Sequence, residues 1–215
     1  MNVISLVTRK GGSGKSTLAI NIGVMAEQSG EQVLLLDCDE QQTLSRWAER
    51  RQSDTPFFET ILNSRQLTET LTEASDRNFS TVVIDTPGFN TPIVHDVIKR
   101  SNLCLVPTRP TTADIEAMAS VLLAIRAEKK QFAFVINQAS SAARSAEATK
   151  GLQALGEVCP VVIGARVAFQ DAIDTGRGIS ELQQRGKALD EFRSLWAWLR
   201  VRLNASSHRS SGMKR

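Results

Sequence analysis

Near the start of the chain, a short apolar segment runs into a glycine-rich turn and then into a helix-like stretch. The apolar segment is Val3–Thr8, and the next residues read Lys10-Gly11-Gly12-Ser13-Gly14-Lys15-Ser16-Thr17. Glycines allow backbone N–H groups to converge around an anion, and the helix N-terminus adds the positive end of its dipole. This order predicts a strand–loop–helix unit that binds phosphate.

Further apolar runs along the chain are short and rich in Val, Ile and Leu, which is typical of strands buried on both faces of a parallel sheet. The predicted strands are Val3–Thr8, Gln32–Asp37, Ser80–Asp85, Asn102–Val106, Gln131–Asn137 and Val158–Ile163. Helices are predicted after the first strand, ending near Gly30, and over Thr112 to about Lys129 and Lys187 to about Leu203. The pattern predicts an α/β fold with a mainly parallel, doubly wound sheet flanked by helices.

The length of 215 residues suits one domain, predicted over residues 1–203, with 204–215 as a disordered basic tail. Hydrophobic residues make up 41% and no apolar stretch approaches the length of a membrane span, so we expect a cytoplasmic protein. The net charge of +3 neither requires nor opposes binding to nucleic acid. Three cysteines lie in or beside apolar runs without a CxxC pair, which indicates neither a disulfide framework nor a zinc site.

Within the glycine-rich loop, Lys15 is expected to reach the β- and γ-phosphates of a nucleotide and the Ser16 hydroxyl to ligate Mg²⁺, while Thr17 adds a phosphate contact. The general pattern would place glycine at position 9, where this chain has Arg9. The form that begins with Lys10 resembles the deviant Walker A motif of the ParA/MinD family of P-loop ATPases. In that family the early lysine reaches across a nucleotide-sandwich dimer to the partner's phosphates. The resemblance therefore implies that Lys10 stabilises charge during hydrolysis, as an arginine finger does.

Two other predicted strands end in carboxylates, at the edge where a parallel sheet presents its ligand site. Residues 34–41 resemble the family's D-x-D-P-Q segment, with Glu40 in place of the proline. The resemblance implies that Asp39 orients or activates the attacking water and that Asp37 lies near the Mg²⁺ shell. Residues 82–88 resemble Walker B, which implies that Asp85 holds Mg²⁺ through water and that residues 87–88 form a switch loop.

The likeness continues downstream and covers about residues 2–203. Residues 106–110 with Asp114 are similar to the family's strand-end segment lining the nucleotide pocket, which implies a nucleotide contact for Pro107. Asn137 stands where relatives contact the adenine, and residues 166–184 match the C-terminal pattern. Together the motifs imply ATP and Mg²⁺ as ligands, with Lys10 to Thr17, Pro107 and Asn137 around the nucleotide.

Within this family, the chain is most similar to the small ParA group of partition ATPases, the ParF type. Such proteins dimerise on ATP, bind DNA non-specifically, and are released when a centromere-binding or cargo adaptor protein stimulates hydrolysis. The resemblance thus implies a nucleoid-associated homodimer with slow basal turnover that segregates or positions DNA or other cargo. Basic candidates for the DNA contact are Arg177, Arg185, Lys187, Arg193, Arg200 and Arg202.

Other functions remain open at this point. A MinD-like ATPase uses a membrane template, and the interleaved Trp196, Trp198, Arg200 and Arg202 could suit a membrane surface. We expect instead a final helix packed on the sheet. An iron–sulfur reductase would need paired cluster cysteines, and a bacterial P-loop tyrosine kinase would need tyrosines, of which the chain has none. A non-hydrolysing scaffold is a further alternative, although the residues expected for catalysis are present.

Overall fold

The computed structural model describes residues 1–89 and 91–211, in which one parallel sheet forms the centre of the molecule. Its strands are β1 (Asn2–Leu6), β2 (Val33–Asp37), β3 (Phe57–Thr60), β4 (Thr81–Asp85), β5 (Leu103–Thr108) and β6 (Gln131–Ile136). They lie in the order β3-β2-β4-β1-β5-β6, and all the pairings are parallel. The predicted α/β fold with a doubly wound parallel sheet is confirmed.

Helices connect the strands and cover both faces of the sheet. They are α1 (Lys15–Gln28), α2 (Thr43–Arg50), α3 (Ser64–Asp76), α4 (Pro92–Arg100), α5 (Thr112–Glu116), α6 (Ala119–Ala127), α7 (Ala142–Gln153), α8 (Val167–Asp174), α9 (Ile179–Leu182) and α10 (Lys187–Ser211). Helices α1, α2, α8, α9 and α10 pack on one face, and α3, α4, α6 and α7 pack on the other. Parallel strands need such crossovers, and burial on both faces explains their nearly continuous apolar sequences.

The register of the central strands brings their carboxyl ends together. Asp85 of β4 lies opposite Leu6 of β1 on one side and opposite Asp37 of β2 on the other. The glycine-rich loop leaves β1 at this same edge. The loop and the strand-end carboxylates therefore belong to one site, as the strand pattern predicted.

At the margins of the sheet, one predicted strand was wrong and one observed strand was not predicted. The segment Val158–Ile163 forms no strand; Val158 makes an isolated bridge with Phe134 of β6, and the next bridge joins Ala139 to Gly164, beyond both segments. The Val161 N–H, which would continue the ladder, is directed at the Cys159 sulfur instead. Strand β3 was missed. It is four residues long at the sheet edge, and both of its phenylalanines are exposed, so it lacks the apolar burial pattern of the other strands.

The remaining differences concern helices. The helix predicted from Thr112 to Lys129 is split into α5 and α6 at Ala117–Met118, although the stretch holds neither glycine nor proline. Helix α10 continues to Ser211, past the boundary predicted at Leu203, because a helix already fixed by packing gains one hydrogen bond for each added residue. Residues 212–215 of the predicted tail lie outside the described residues.

Candidate nucleotide-binding site

The glycine-rich loop joins the buried end of β1 to an uncapped helix N-terminus. Gly12 and Gly14 have φ of 71° and 86°, in the left-handed region that favours glycine. Gly14 is the N-cap of α1; no side chain caps this end, and its first turn has no acidic residue. The N–H groups of the first turn are consequently available to an anion, and the helix dipole favours a negative charge there.

Lys15, the first residue of α1, is only 7% exposed. Lysine is rarely buried without a partner, so its position indicates an anionic neighbour. Its ammonium group lowers the pKa of Asp85. In the same loop, the Ser13 hydroxyl is buried and has no hydrogen-bond partner.

Asp85 is fully buried, and neither carboxylate oxygen meets a donor in full hydrogen-bond geometry. Burial raises the pKa of Asp85 to about 7; the Ser16 hydroxyl and Lys15 lower it, while the nearby Asp37 and Asp39 add to the rise. A buried, unsatisfied carboxylate is a suitable place for a cation.

The residues present fit Mg²⁺ of the nucleotide-bound kind. Such an ion uses one or two carboxylates together with a hydroxyl, phosphate oxygens and water rather than an all-protein cage. Asp85 and Ser16 supply this donor set.

The turn after β2 places Asp39 at the sheet edge by means of Asp37. One Asp37 oxygen accepts the N–H of Asp39 at 3.0 Å, and the other accepts the backbone N–H and the hydroxyl of Ser45 at 2.9 and 2.8 Å. Ser45 N–H lies in the first turn of α2, so Asp37 caps that helix from the strand. Asp39 itself is half-buried and accepts the N–H of Gln41 at 3.0 Å. Asp37 thus holds the loop that carries Asp39.

Lys10 turns toward α5. Its ammonium donates to an Asp114 oxygen at 3.1 Å and to the carbonyl oxygen of Ala113 at 3.2 Å. Arg109 binds the same Asp114 carboxylate through Nε at 2.6 Å and through its terminal nitrogen at 3.2 Å. Asp114 is 2% exposed, whereas both cations are partly exposed. The side chain that distinguishes this loop is therefore bound to an acidic group of its own chain.

The residues that follow β6 contact the glycine-rich loop, and they include Asn137, which was predicted to contact the adenine. The Asn137 amide donates to the carbonyl oxygen of Ser13 at 2.8 Å. Asn137, Gly14, Thr17 and Gln170 help to line a cavity of about 320 Å³ beside the loop. Pro107, for which a nucleotide contact was predicted, is buried within β5 and is not among the residues that line this cavity.

Gln138 also touches the loop and was missed by the sequence analysis. Its amide donates to the carbonyl oxygen of Gly12 at 2.8 Å. The only sequence signal is its place directly after Asn137 at a predicted strand end, and an exposed glutamine there does not by itself indicate a contact.

The three cysteines do not form a cluster site. Cys38, Cys104 and Cys159 are all buried and free. Burial raises the pKa of all three thiols, that of Cys159 to about 11. The three cysteines also belong to three different core clusters, so they are not gathered at one place as the ligands of an iron–sulfur cluster must be.

Known proteins resemble this chain in sequence. Residues 4–179 match the family model described as the CobQ/CobB/MinD/ParA nucleotide binding domain. The protein ParA of Rhizobium radiobacter is 31% identical over 158 residues, covering 69% of this chain and 70% of that protein. The maintenance of carboxysome distribution protein A of Gloeobacter kilaueensis is 32% identical over 117 residues, but the match spans only 54% of this chain and 53% of that protein.

Among solved structures, the septum site-determining protein MinD of Pyrococcus horikoshii, complexed with Mg-ADP, superimposes with a TM-score of 0.75. The match covers 92% of this chain and 95% of that one at 16% sequence identity. At this level of identity the likeness concerns the fold, and the fold is that of a nucleotide-binding P-loop protein.

Proposed function

Because this chain belongs to the CobQ/CobB/MinD/ParA nucleotide-binding domain family, we propose that it is a Mg²⁺-dependent ATPase that forms a homodimer around ATP. In this proposal the ATP-bound dimer associates with DNA without reading its sequence. An adaptor protein on the cargo stimulates hydrolysis and releases the dimer, so that DNA or another cargo is segregated or positioned on the nucleoid. The γ-phosphate selects the dimer, and hydrolysis removes that selection.

The position of Lys10 carries this proposal. Its ammonium lies on the rim of the loop, 40% of the side chain is exposed, and its contacts in the single chain are with α5. A positive charge at this rim can reach the phosphates of a nucleotide held by a second copy of the chain. It would then act from outside, as an arginine finger does.

The other residues have separate roles. Lys15 and the N–H groups of the loop, from Gly11 to Thr17, hold the phosphates, while Asn137 stands toward the adenine. Pro107 is left out of the nucleotide contacts, because it is buried in β5 and does not line the cavity beside the loop. Asp39 positions the attacking water in line with the γ-phosphate. In this proposal ATP hydrolysis is slow without the adaptor protein, so that the adaptor controls when the dimer is released.

Ser16 and Asp85 would hold Mg²⁺, and Asp37, which lies opposite Asp85 in the sheet, would be near the ion's coordination shell. When bound, the ion supplies positive charge that neutralises the phosphate oxygens. Asp37 supports this site by holding the loop of Asp39, whose N–H it accepts.

Replacing Lys15 with alanine is expected to weaken ADP binding about 100-fold, because a charge-assisted contact to phosphate is lost from a buried position. Isothermal titration calorimetry with ADP measures the change. Lys10→Ala is the matched control, since it removes the same charge from the same loop yet should leave ADP binding by the single chain within about twofold of wild type. Tight ADP binding by Lys15→Ala would contradict the assignment.

The DNA surface is proposed on the helical layer that contains α10. Arg193 and Arg200 are exposed and lie seven residues apart on α10, about two turns, so they share one helix face. Arg177, Arg185 and Lys187 are also exposed in this layer. Arg202 differs, because it is bound to Glu157 and lies over the ring of Trp198.

We expect an arbitrary labelled duplex to bind Asp39→Ala protein only with ATP, and binding to weaken steeply with salt. Adding Arg193→Ala and Arg200→Ala should lower the slope of log affinity against log salt by about 2, as two phosphate contacts are lost. Fluorescence anisotropy with ATP, ADP and no nucleotide measures both effects.

Arg65→Ala is the matched control for the DNA measurement. Arg65 is 88% exposed on α3, in the opposite helical layer, and pairs with Glu69. Its removal should leave the salt slope unchanged. If Arg65→Ala lowered the salt slope as much as the α10 variants do, the proposed surface would be wrong. DNA binding of equal strength with and without ATP would also contradict the proposal.

A membrane template is not favoured by α10. The side chains of Leu195, Trp196, Leu199 and Leu203 are buried against the sheet and α1, and the indole of Trp196 donates to Ser29 at 2.8 Å. The apolar face that a membrane-binding helix would use is therefore occupied. In residues 1–89 and 91–211, no helix combines the length and apolar character needed to cross a bilayer. If no DNA binding is found in any nucleotide state, liposome binding becomes the next test.

A further inference from the structure

Two consecutive amide side chains at the end of β6 hold the outer side of the glycine-rich loop. Asn137 donates to the carbonyl oxygen of Ser13 and Gln138 to that of Gly12, each at 2.8 Å. The carbonyl groups of two successive peptide units are thus both fixed from the same direction. Of this pair, Asn137 was expected at the base, whereas Gln138 has no role in the site as described so far.

Fixing these carbonyl groups also fixes the N–H groups of the same peptide units. In a trans peptide the C=O and N–H bonds point in opposite directions within one plane. The carbonyl of Gly12 shares its plane with the N–H of Ser13, and the carbonyl of Ser13 shares its plane with the N–H of Gly14. Carbonyls bound to β6 therefore turn both N–H groups away from β6, as a concave anion cradle requires.

The contact is close enough to depend on glycine. A Cβ atom built on Gly14 would lie 2.3 Å from the amide nitrogen of Asn137 and 3.4 Å from that of Gln138. Gly14 also has φ of 86°, which L side chains rarely adopt. The loop and the two amides consequently fit together as one unit, with no room for a side chain between them.

Gln138 adopts an unusual backbone conformation at this place. Its φ is 53°, in the left-handed region, which is unfavourable for a residue other than glycine. Its side chain is exposed, so burial of that side chain does not compensate for the cost. The left-handed backbone at Gln138 instead brings its side-chain amide within hydrogen-bond distance of the Gly12 carbonyl oxygen.

We propose that Gln138 is a positioning residue of the nucleotide site, which orients the Gly12–Ser13 peptide so that the Ser13 N–H faces the phosphates. This role deepens the proposed function and rests on its nucleotide site. It concerns the polyphosphate of the ligand and is independent of the base.

The test replaces Gln138 with methionine, which keeps the length of the side chain and removes its donor. Binding of inorganic pyrophosphate and of ADP should both weaken about 10-fold, the size expected for one oriented hydrogen bond. In steady-state hydrolysis the KM for ATP should rise by a similar factor, while kcat changes less than twofold. Isothermal titration calorimetry and phosphate release measure these values.

Gln138→Gly separates the side chain from the backbone. Glycine suits the positive φ, so this variant should fold at least as stably as wild type and still lose the same factor in pyrophosphate affinity. Gln153→Met is the matched control: Gln153 is an exposed glutamine at the C-terminal end of α7 and is not among the residues that line the cavity beside the loop. Its pyrophosphate affinity should equal that of wild type.

The outcomes distinguish this inference from the proposed function. Weaker ADP binding with unchanged pyrophosphate binding would place Gln138 at the base and overturn the inference. Wild-type affinity in both Gln138 variants would also overturn it, leaving the nucleotide site intact. Wild-type protein that binds neither ADP nor pyrophosphate would overturn the nucleotide site and the inference together.

Discussion

Lys10→Ala is expected to lower steady-state ATP hydrolysis by about 1,000-fold while sparing nucleotide binding by the single chain. In the single chain the Lys10 ammonium is bound to Asp114 and Ala113 on α5, so its removal takes nothing from the chain's own phosphate cradle. In the proposed dimer it supplies the charge that the partner's nucleotide needs. Phosphate release, calorimetry with ADP, and light scattering with ATP measure turnover, binding and dimerisation.

Asp114→Asn is the control for this prediction, because it breaks the same ion pair and keeps Lys10. If the loss in Lys10→Ala came from breaking an ion pair on α5, Asp114→Asn would lose as much activity. We expect Asp114→Asn to retain turnover within about fivefold of wild type, since the amide keeps the shape of the side chain, buries no charge and leaves Lys10 free to move. Wild-type turnover by Lys10→Ala, or an equal collapse in both variants, would contradict the role of Lys10.

Asp39→Ala is expected to lower hydrolysis by about 100- to 10,000-fold, the usual contribution of a group that positions or activates water. ATP should still bind, because Asp39 lies on the turn after β2 and not on the phosphate loop. The protein should then remain as an ATP-bound dimer for far longer than wild type. Single-turnover hydrolysis and size-exclusion chromatography with ATP measure the two effects.

Two variants show whether the carboxylate itself is needed. Asp39→Asn keeps an acceptor for the Gln41 N–H but removes the charge, and it should be as inactive as Asp39→Ala. Glu40→Ala removes the neighbouring, exposed carboxylate, and its turnover should stay near that of wild type. Hydrolysis at the normal rate by Asp39→Ala would show that another group positions the water.

The sequence was sufficient for the central strands because burial on both faces leaves a clear signal. Strands β1, β2 and β4 consist mainly of buried apolar residues, and their carboxyl ends lie at the site, so both their existence and their carboxyl edge could be predicted. At the margin this signal fails. Strand β3 exposes its phenylalanines, and the segment 158–163 is apolar without being a strand.

The break between α5 and α6 could not be predicted from local preferences. Ala117 and Met118 are good helix formers, so propensity favours one continuous helix. In the structure Asp114 of α5 is bound to Arg109 and Lys10, while Met118 is buried in the core cluster that also contains Val7 and Val106. Such tertiary contacts override propensity, and the contact between Lys10 and Asp114 joins residues 104 positions apart.

For the site, motif spacing placed Lys15, Asp39 and Asp85 at one edge of the sheet, as the structure has them. Motif spacing did not predict the side-chain hydrogen bonds within the site. The Asp37 carboxylate is directed at the α2 N-terminus, and the Asn137 amide at the phosphate loop. These contacts depend on the packing of segments distant in the sequence, and no local pattern records them.

The shared carboxylate on α5 also determines how easily the free chain can give up Lys10. Removing the partner of a buried carboxylate usually costs about 3–5 kcal/mol, because an uncompensated charge remains. Here Arg109 keeps two contacts with Asp114 after Lys10 leaves. Moving Lys10 away from Asp114 should therefore cost little free energy. Even a modest attraction to the phosphates of a second chain's nucleotide would then be enough to move it.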